Sequence, residues 1–438
     1  MQDGQTSYSR YLSPADEGYE HLLMQNLVSK YRSVPFAPLL PDDFGFEFKL
    51  KGMAKSKLVT VKSFSPEQSK IRGFVFDFAL TAPAEFHRLI LSSGIGEKNS
   101  TGFGWVEINY SRTVYPVIAK TQRFLFGWIP FSVGDIFYGF LILVVIFKTF
   151  QFIKVVIRRR LNRQYFIAGL QQIIFFFLFV YVFFNLLWGL NYNRQGIANQ
   201  LGLNVKQYSL ADLDTLTTTI EIRLNEYAAF VSEGQRDSFD KKKTLFNNAG
   251  EAYHEVEKLY PFLTYKPKST KPSLYSYLRN YLGFQGYYNP FSGEAQVNTT
   301  IPRFLEPFVT THEIAHQLGY AKENEANFVG YLACRNYPSP VFKYSVYLDM
   351  YRYAVGEVYG RDTTLANEFQ KKLHPQVVKD IKEFYNFYRR YKNPVEPVIM
   401  WFYNHYLIAN NQPGGKQTYN EVVAWLIAYY KKFGIEAL

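Results

Sequence analysis

The sequence predicts a mainly α protein: a region with two transmembrane helices, then a mostly helical domain with a small β element. Three observations lead there. Two long runs, Phe124 to Phe147 and Gln164 to Asn193, carry almost no charge. From Ser209 onward, apolar residues recur at helical spacing in successive segments separated by Gly and Pro. Between Gly283 and Asn298 the chain is punctuated by glycine and patterned over short distances, which suggests a turn and a strand.

The composition agrees with this class. Of 438 residues 47% are apolar, ample for a core and for more than one domain. The 40 Phe and 36 Tyr suit membrane segments with interfacial rings. A net charge of +12 fits an anionic membrane surface or a basic exterior. No Arg-rich or RNA-binding motif accompanies it, so no nucleic-acid partner is expected. The single cysteine, Cys334, excludes an intramolecular disulfide and any multi-cysteine zinc site, and reads as a core residue.

Residues 1–104 form an N-terminal region of unclear structure. Pro35, Pro38 and Pro41 break its early part, and Lys49 to Lys62 is a basic run with short β-like pieces. Phe74 to Leu91 carries Asp77, Glu85, His87 and Arg88, which argues against a membrane span. Residues 1 to about 30 hold no apolar core of a signal peptide. His21 and His87 are isolated, and no catalytic constellation is visible.

Residues 105–193 are the expected membrane region, with spans at about 130–152 and 166–188. Trp128 reads as an interfacial ring before the first span, and Asp135 as a cap for the helix that follows. Between the spans lie Lys148, Lys154, Arg158, Arg159, Arg160 and Arg163. By the positive-inside rule this loop is cytoplasmic, so the chain is a multi-pass protein of the cytoplasmic (inner) membrane, with residues 194–438 facing the periplasm or exterior.

In residues 194–438 helices are expected from Ser209, as N-cap, to Glu233 and from Asn247 to Tyr260. Pro261 to Pro272 reads as a loop. Further helices are expected at about 307–320, 323–336, 342–359, 375–391, 395–410 and 418–433.

The chemistry concentrates in Thr310 to Phe328. His312 and His316 stand one helical turn apart on one face, so both imidazoles can reach one metal ion. Glu313 follows the first histidine, where its carboxylate can touch a metal-bound water without ligating. This is the H-E-x-x-H arrangement of zinc peptidases, and Zn2+ is the expected cofactor. A third ligand is required, and both Glu323 and Glu325 are in range. Glu323-Asn324-Glu325-Ala326-Asn327 resembles the E-x-x-A-N/D pattern of glutamate-ligated helical zinc peptidases, making Glu323 the ligand and Asn327 a partner to a histidine. Read as Asn324-Glu325-Ala326, an N-E-A pattern would make Glu325 the ligand. Glu323 is the preferred assignment. Glu313 is expected to act as general base in hydrolysis of a peptide bond. Tyr287, Tyr288, Tyr320, Tyr403 and His405 are candidates for the donor to the oxyanion. Glu294 to Asn298 could be an edge strand that pairs with an extended peptide.

The runs Asn289-Pro290-Phe291-Ser292-Gly293-Glu294-Ala295, His312-Glu313-Ile314-Ala315-His316-Gln317 and Glu323 to Phe328, with Pro130 to Asp135 and Tyr406 to Asn410, resemble the bacterial membrane proteins catalogued as domain of unknown function 3810. The resemblance runs from about Trp105 to the end. It implies a membrane-anchored zinc peptidase with a zincin-like domain and supplies no substrate; a peptide or protein substrate is expected from the H-E-x-x-H chemistry. The alternatives are a non-catalytic membrane protein with a structural zinc site or a degenerate peptidase fold used as an interaction module. Two spans with one intramembrane acid argue against a transporter.

Overall fold

A computed structural model describes residues 12–33, 44–61, 69–93, 114–194, 196–205, 208–231, 242–410 and 421–438, with single positions at 95, 110, 234, 412 and 415. The prolines at 35, 38 and 41 and the Trp105 segment lie outside the described residues. The chain divides into two compact units, Met1–Ile108 and Asn109–Leu438.

In the first unit, helix α1 (Tyr19–Arg32) and helix α2 (Ala84–Ser93) flank a long antiparallel hairpin, β1 (Glu47–Val61) and β2 (Ser69–Thr81). The basic run is therefore one long strand rather than short pieces. Gly52, at φ 80°, sits where the register shifts between Lys51 and Lys55, as a bulge that needs a left-handed residue requires. Leu23, Leu27, Phe86 and Ile90 form its core, with Phe48 and Phe78 stacked beside them.

The second unit begins with α3 (Tyr115–Phe126), followed by α4 (Val133–Ile157) and α5 (Arg163–Leu187). The last two are each 25 residues, about 37 Å at the helical rise, and are long and apolar enough to cross a membrane core of about 30 Å. Their apolar side chains are exposed; in α4 only Gly134 and Asp135 are buried, in α5 none. Ser132 starts α4 by accepting from Asp135 N at 2.9 Å, and Asn162 starts α5 by accepting from Tyr165 N at 2.8 Å. The cap of α4 is thus Ser132, not Asp135. The Asp135 carboxylate instead accepts from Ser273 Oγ (3.0 Å), Leu274 N (2.7 Å) and Tyr287 Oη (2.6 Å).

The remainder is helical around a small sheet: α6 (Ile197–Gln200), α7 (Leu210–Phe230), α8 (Lys242–Glu257), β3 (Thr270–Pro272), α9 (Ser276–Leu282), β4 (Gly286–Asn289), β5 (Glu294–Val297), α10 (Glu306–Gln317), α11 (Glu323–Asn336), α12 (Pro340–Arg361), α13 (Thr363–Lys371), α14 (Pro375–Tyr391), α15 (Glu396–Ala409) and α16 (Val422–Phe433). Ser209 begins α7 with a reciprocal capping box to Asp212. The sheet order is β3-β5-β4, with β3 parallel and β4 antiparallel to β5. β5 is therefore the central strand. The expectation of an edge strand at Glu294 to Asn298 is corrected: β3, in the stretch read as a loop, occupies its other side. The edges of the sheet are β3 and β4, and β4 lines the cleft. Helix α13, not expected, is begun by the Asp362 carboxylate accepting from Leu365 N.

The core lies between α10, α11, α12, α7, α8 and α16. Phe328, Tyr331, Phe342 and Tyr344 are fully buried there, each worth roughly 1.5–3 kcal/mol of transfer free energy. The whole of α10 and the first turns of α11 are buried in this packing. Polar residues on those helices are held among fixed neighbours.

Candidate metal centre

Helix α10 is locked in place before it offers any ligand. Its C-terminal carbonyls, which have no partner within the helix, are taken by two guanidinium groups: Arg123 Nη1 donates to Gln317 O at 2.8 Å and Arg194 Nη1 to Leu318 O at 2.7 Å. The Gln317 amide donates to Ser269 O and Gly293 O, tying the helix to the sheet. Gly319 reverses the chain at φ 92°, and a Cβ there would collide with Tyr115 and Arg194. Gly330 on α11 lets that helix approach the His312 backbone.

The short reversal decides which glutamate faces the histidines. It brings the first residue of α11, Glu323, over the histidine face: Oε2 of Glu323 stands 3.2 Å from Nε2 of His312 and 3.6 Å from Nε2 of His316. Glu325 faces away, 3.5 Å from Lys322 Nζ and packed on Gly196. The three facing donor atoms lie within 4.8 Å of one another. A tetrahedral ion at about 2.0–2.1 Å from each would space them about 3.3 Å apart.

The outer nitrogens are committed elsewhere. His316 Nδ1 lies 2.7 Å from Tyr320 O, and a carbonyl only accepts, so Nδ1 carries the hydrogen and Nε2 presents its lone pair. His312 Nδ1 lies 2.8 Å from Asn327 Oδ1, one turn beyond Glu323 on α11. Such partners set tautomer and ring orientation in metal sites. Despite the short N–O distances, Glu323 Oε2 has no hydrogen-bond partner, because the approach lacks the alignment of an N–H donor. Its other oxygen accepts from Tyr403 Oη at 2.8 Å. A buried carboxylate oxygen facing two imidazole lone pairs fits a divalent cation, and Zn2+ suits this N2O set.

Charge couples the acid to the imidazoles. Burial pulls the His316 pKa down, but the negative charge of Glu323, with Glu313 behind, brings it up to about 9. Burial pushes Glu323 up, and His316 and His312 outweigh it and hold the acid below its ordinary range. Burial raises Glu313 above the usual glutamate value, with the two histidines opposing. Glu313 Oε2 is buried and has no hydrogen-bond partner. Gly286 of β4 packs directly on it, and a Cβ there would lie 2.5 Å from Oε1.

These groups line a cleft of about 580 Å³. Its walls are β4, the end of α5 at Val180, Phe184 and Trp188, Tyr138 of α4, Arg352 and Tyr353 of α12, and Met400, Tyr403 and Tyr406 of α15. Of the candidate oxyanion donors, Tyr288 lines the cleft. Tyr287 and Tyr403 line it too, with their hydroxyls engaged by Asp135 and Glu323. Tyr320 and His405 are not cleft residues: Tyr320 donates to Gln200, and His405 bonds the Trp401 carbonyl on an exposed helix face.

Residues 110–427 match the family model described as Protein of unknown function (DUF3810). The chain belongs to the DUF3810 family. The DUF3810 match takes in α3 to α15, all three candidate ligands and the cleft walls, and ends within α16. Residues 1–108 are similar to a second family model, CRISPR associated protein Cas6, C-terminal, and that match ends where the first compact unit ends. No curated protein and no solved structure matches the chain.

Several cleft residues of this DUF3810 chain escape sequence reasoning. Arg352 and Tyr353 sit in a long helix without a motif, and Tyr403, named as a candidate oxyanion donor, was not seen as a partner of Glu323. Gly286 had a signal, the glycine punctuation before the strand, but not its contact with Glu313.

Proposed function

We propose that this DUF3810 protein is a membrane-anchored, zinc-dependent metallopeptidase with a zincin-like domain, acting on peptide or protein substrates. In this reading α4 and α5 cross the cytoplasmic membrane, the Arg158 to Arg163 turn lies inside, and the cleft faces the periplasm or exterior. One observation carries the chemistry: Nε2 of His312, Nε2 of His316 and Oε2 of Glu323 converge beside Glu313, with both Nδ1 atoms engaged. A zinc ion held by these three residues would supply Lewis acidity toward a water and a peptide carbonyl.

The chain's own residues account for the rest. Glu313 takes the proton of the attacking water and passes it to the leaving amine. Its burial makes it a stronger base than a solvated carboxylate. Asn327 and the Tyr320 carbonyl hold the imidazoles in register. The free edge of β4, which runs along the cleft, can pair with an extended substrate backbone.

The decisive experiment compares the zinc-loaded wild type with Glu313→Gln. Retained zinc with peptide hydrolysis reduced by about 10²–10⁴-fold supports the reading. Undiminished hydrolysis removes Glu313 from its role. Full zinc occupancy in His312→Ala removes the metal site.

A further inference from the structure

Helix α15 is an unusual element for a water-facing surface. From Pro397 to Gly415 its sequence has no Asp, Glu, Lys or Arg. One side faces the cleft through Met400, Tyr403 and Tyr406. The other side is open: Trp401 is 56% and Phe402 62% exposed, and Val398 and Ile408 are exposed with them. The neighbouring α9 adds Leu278 and Tyr277, also exposed. Together these make an apolar, aromatic face far from the composition of a solvated helix.

Helix α15 also touches the outer end of α5 and the turn that follows it. Tyr406 packs its ring on Phe184 of α5, at 6.2 Å between centroids, and its hydroxyl lies 3.0 Å from that of Tyr192. A hydrocarbon core takes about 20 helical residues. Counting about 20 outward from Arg158 along α4 ends at Tyr138, and the same count from Arg163 along α5 ends at Phe183. Counting from the later polar positions, Lys148 and Gln172, moves the boundary further outward. The first count puts Tyr138 and Val180 at or inside the outer hydrocarbon boundary with Phe184 one residue beyond it, and the second puts all three cleft walls inside. Among the described residues, α4 and α5 scarcely touch each other, and both line the cleft, through Tyr138 and through Val180 and Phe184.

We propose that the cleft is served from the membrane: α15 seats its Trp401 and Phe402 face in the outer lipid layer, and the substrate is a peptide segment itself tethered to the bilayer. This rests on the peptidase reading and on both helices spanning. A tethered chain leaving the bilayer meets the cleft at Tyr138 and Phe184 and continues along β4 to Glu313. A free peptide must reach the same place through lipid headgroups. Trp and Tyr at this depth are common interfacial anchors, and an apolar helix lying flat beside a span is a known membrane seat.

The test uses full-length zinc-loaded protein in vesicles of phosphatidylethanolamine and phosphatidylglycerol. A random-sequence quenched-fluorescence peptide mixture is supplied either free or carrying an N-terminal palmitoyl chain. Cleavage of the tethered mixture is expected to be at least about tenfold faster, since confinement to the surface raises effective concentration. The double variant Trp401→Glu/Phe402→Glu should lose that advantage and keep the rate on free peptide. Equal rates on the two mixtures overturn the inference and leave the peptidase reading standing. Cleavage of neither overturns the peptidase reading and the substrate class with it. The seating of α15 is read separately, without catalysis, in Glu313→Gln protein. Because Cys334 is buried, Phe402→Cys offers one reactive thiol for a nitroxide label. The label should be accessible to oxygen and shielded from a water-soluble nickel chelate. Free access of the chelate overturns the seating.

Discussion

Tyr403 donates its hydroxyl to Oε1 of Glu323 at 2.8 Å, which leaves Oε2 to the two histidines. Helix α15 thereby reaches into the ligand set without contributing a ligand. Tyr403→Phe removes the donor and keeps the ring that packs edge-on against Phe284. Zinc affinity should fall by about 10–100-fold, as for other outer partners of metal ligands, with little change in fold. Competition against a fluorescent chelator measures it, and an unchanged affinity would show that the tyrosine is only packing.

The two glutamates separate cleanly. Glu323→Gln should lose most of its zinc, because a neutral amide replaces the one anionic ligand. Glu325→Gln should keep full zinc while losing its ion pair with Lys322. Metal content per chain after gel filtration decides between them. Zinc loss confined to the second variant would transfer the ligand role to Glu325.

Gly286 tests the general base by steric means. In Gly286→Ala the new methyl would lie 2.5 Å from Oε1 and 2.7 Å from Cγ of Glu313, so that side chain must move. Displacement of a catalytic group by about 1 Å costs on the order of 10²-fold in rate. The zinc content should stay at one per chain. A variant with wild-type kcat would mean that Glu313 has room to spare.

Asp135 is the buried joint between α4 and the sheet, with Arg279 Nη2 3.7 Å away and three hydrogen bonds on its oxygens. Asp135→Ala strands that cation and those donors and should cost about 3–5 kcal/mol. Tyr287→Phe removes one donor and should cost about 1 kcal/mol. Thermal unfolding in detergent should rank them in that order, and the reverse order would remove Asp135 as the main tie.

The histidine pair was legible because it depends only on helical periodicity: residues four apart share a face. The candidate third ligand was legible only as a preference: the Glu323 to Asn327 spacing favoured Glu323, but Glu325 is also an acid within one turn. The choice turns on where Gly319, at φ 92°, aims the next helix. Asp135 looked like a cap because its real partners, Ser273, Leu274 and Tyr287, lie about 140–150 residues away. The same holds for β5. Its parallel partner Thr270–Pro272 is three residues long and ends in proline, so no alternation announces it. The long apolar helices stood out at once, although their ends shifted by a few residues with the Ser132 and Asn162 caps.

Glu294 accepts from Val133 N at 3.2 Å and Gly134 N at 2.7 Å, so the first turn of α4 is held by the central strand of the sheet. The adjacent strand, β4, lines the cleft. With α4 spanning a bilayer as proposed, it would be the long arm of a lever whose short arm ends at Glu313. Helices answer a change in bilayer thickness by tilting, and a tilt of α4 would shift the strand on which Gly286 sits. Hydrolysis should then depend on lipid length, peaking at one thickness as acyl chains run from about 14 to about 22 carbons. Glu294→Gln, with a weaker joint, should flatten that curve; a flat curve in the wild type would mean that the lever slips.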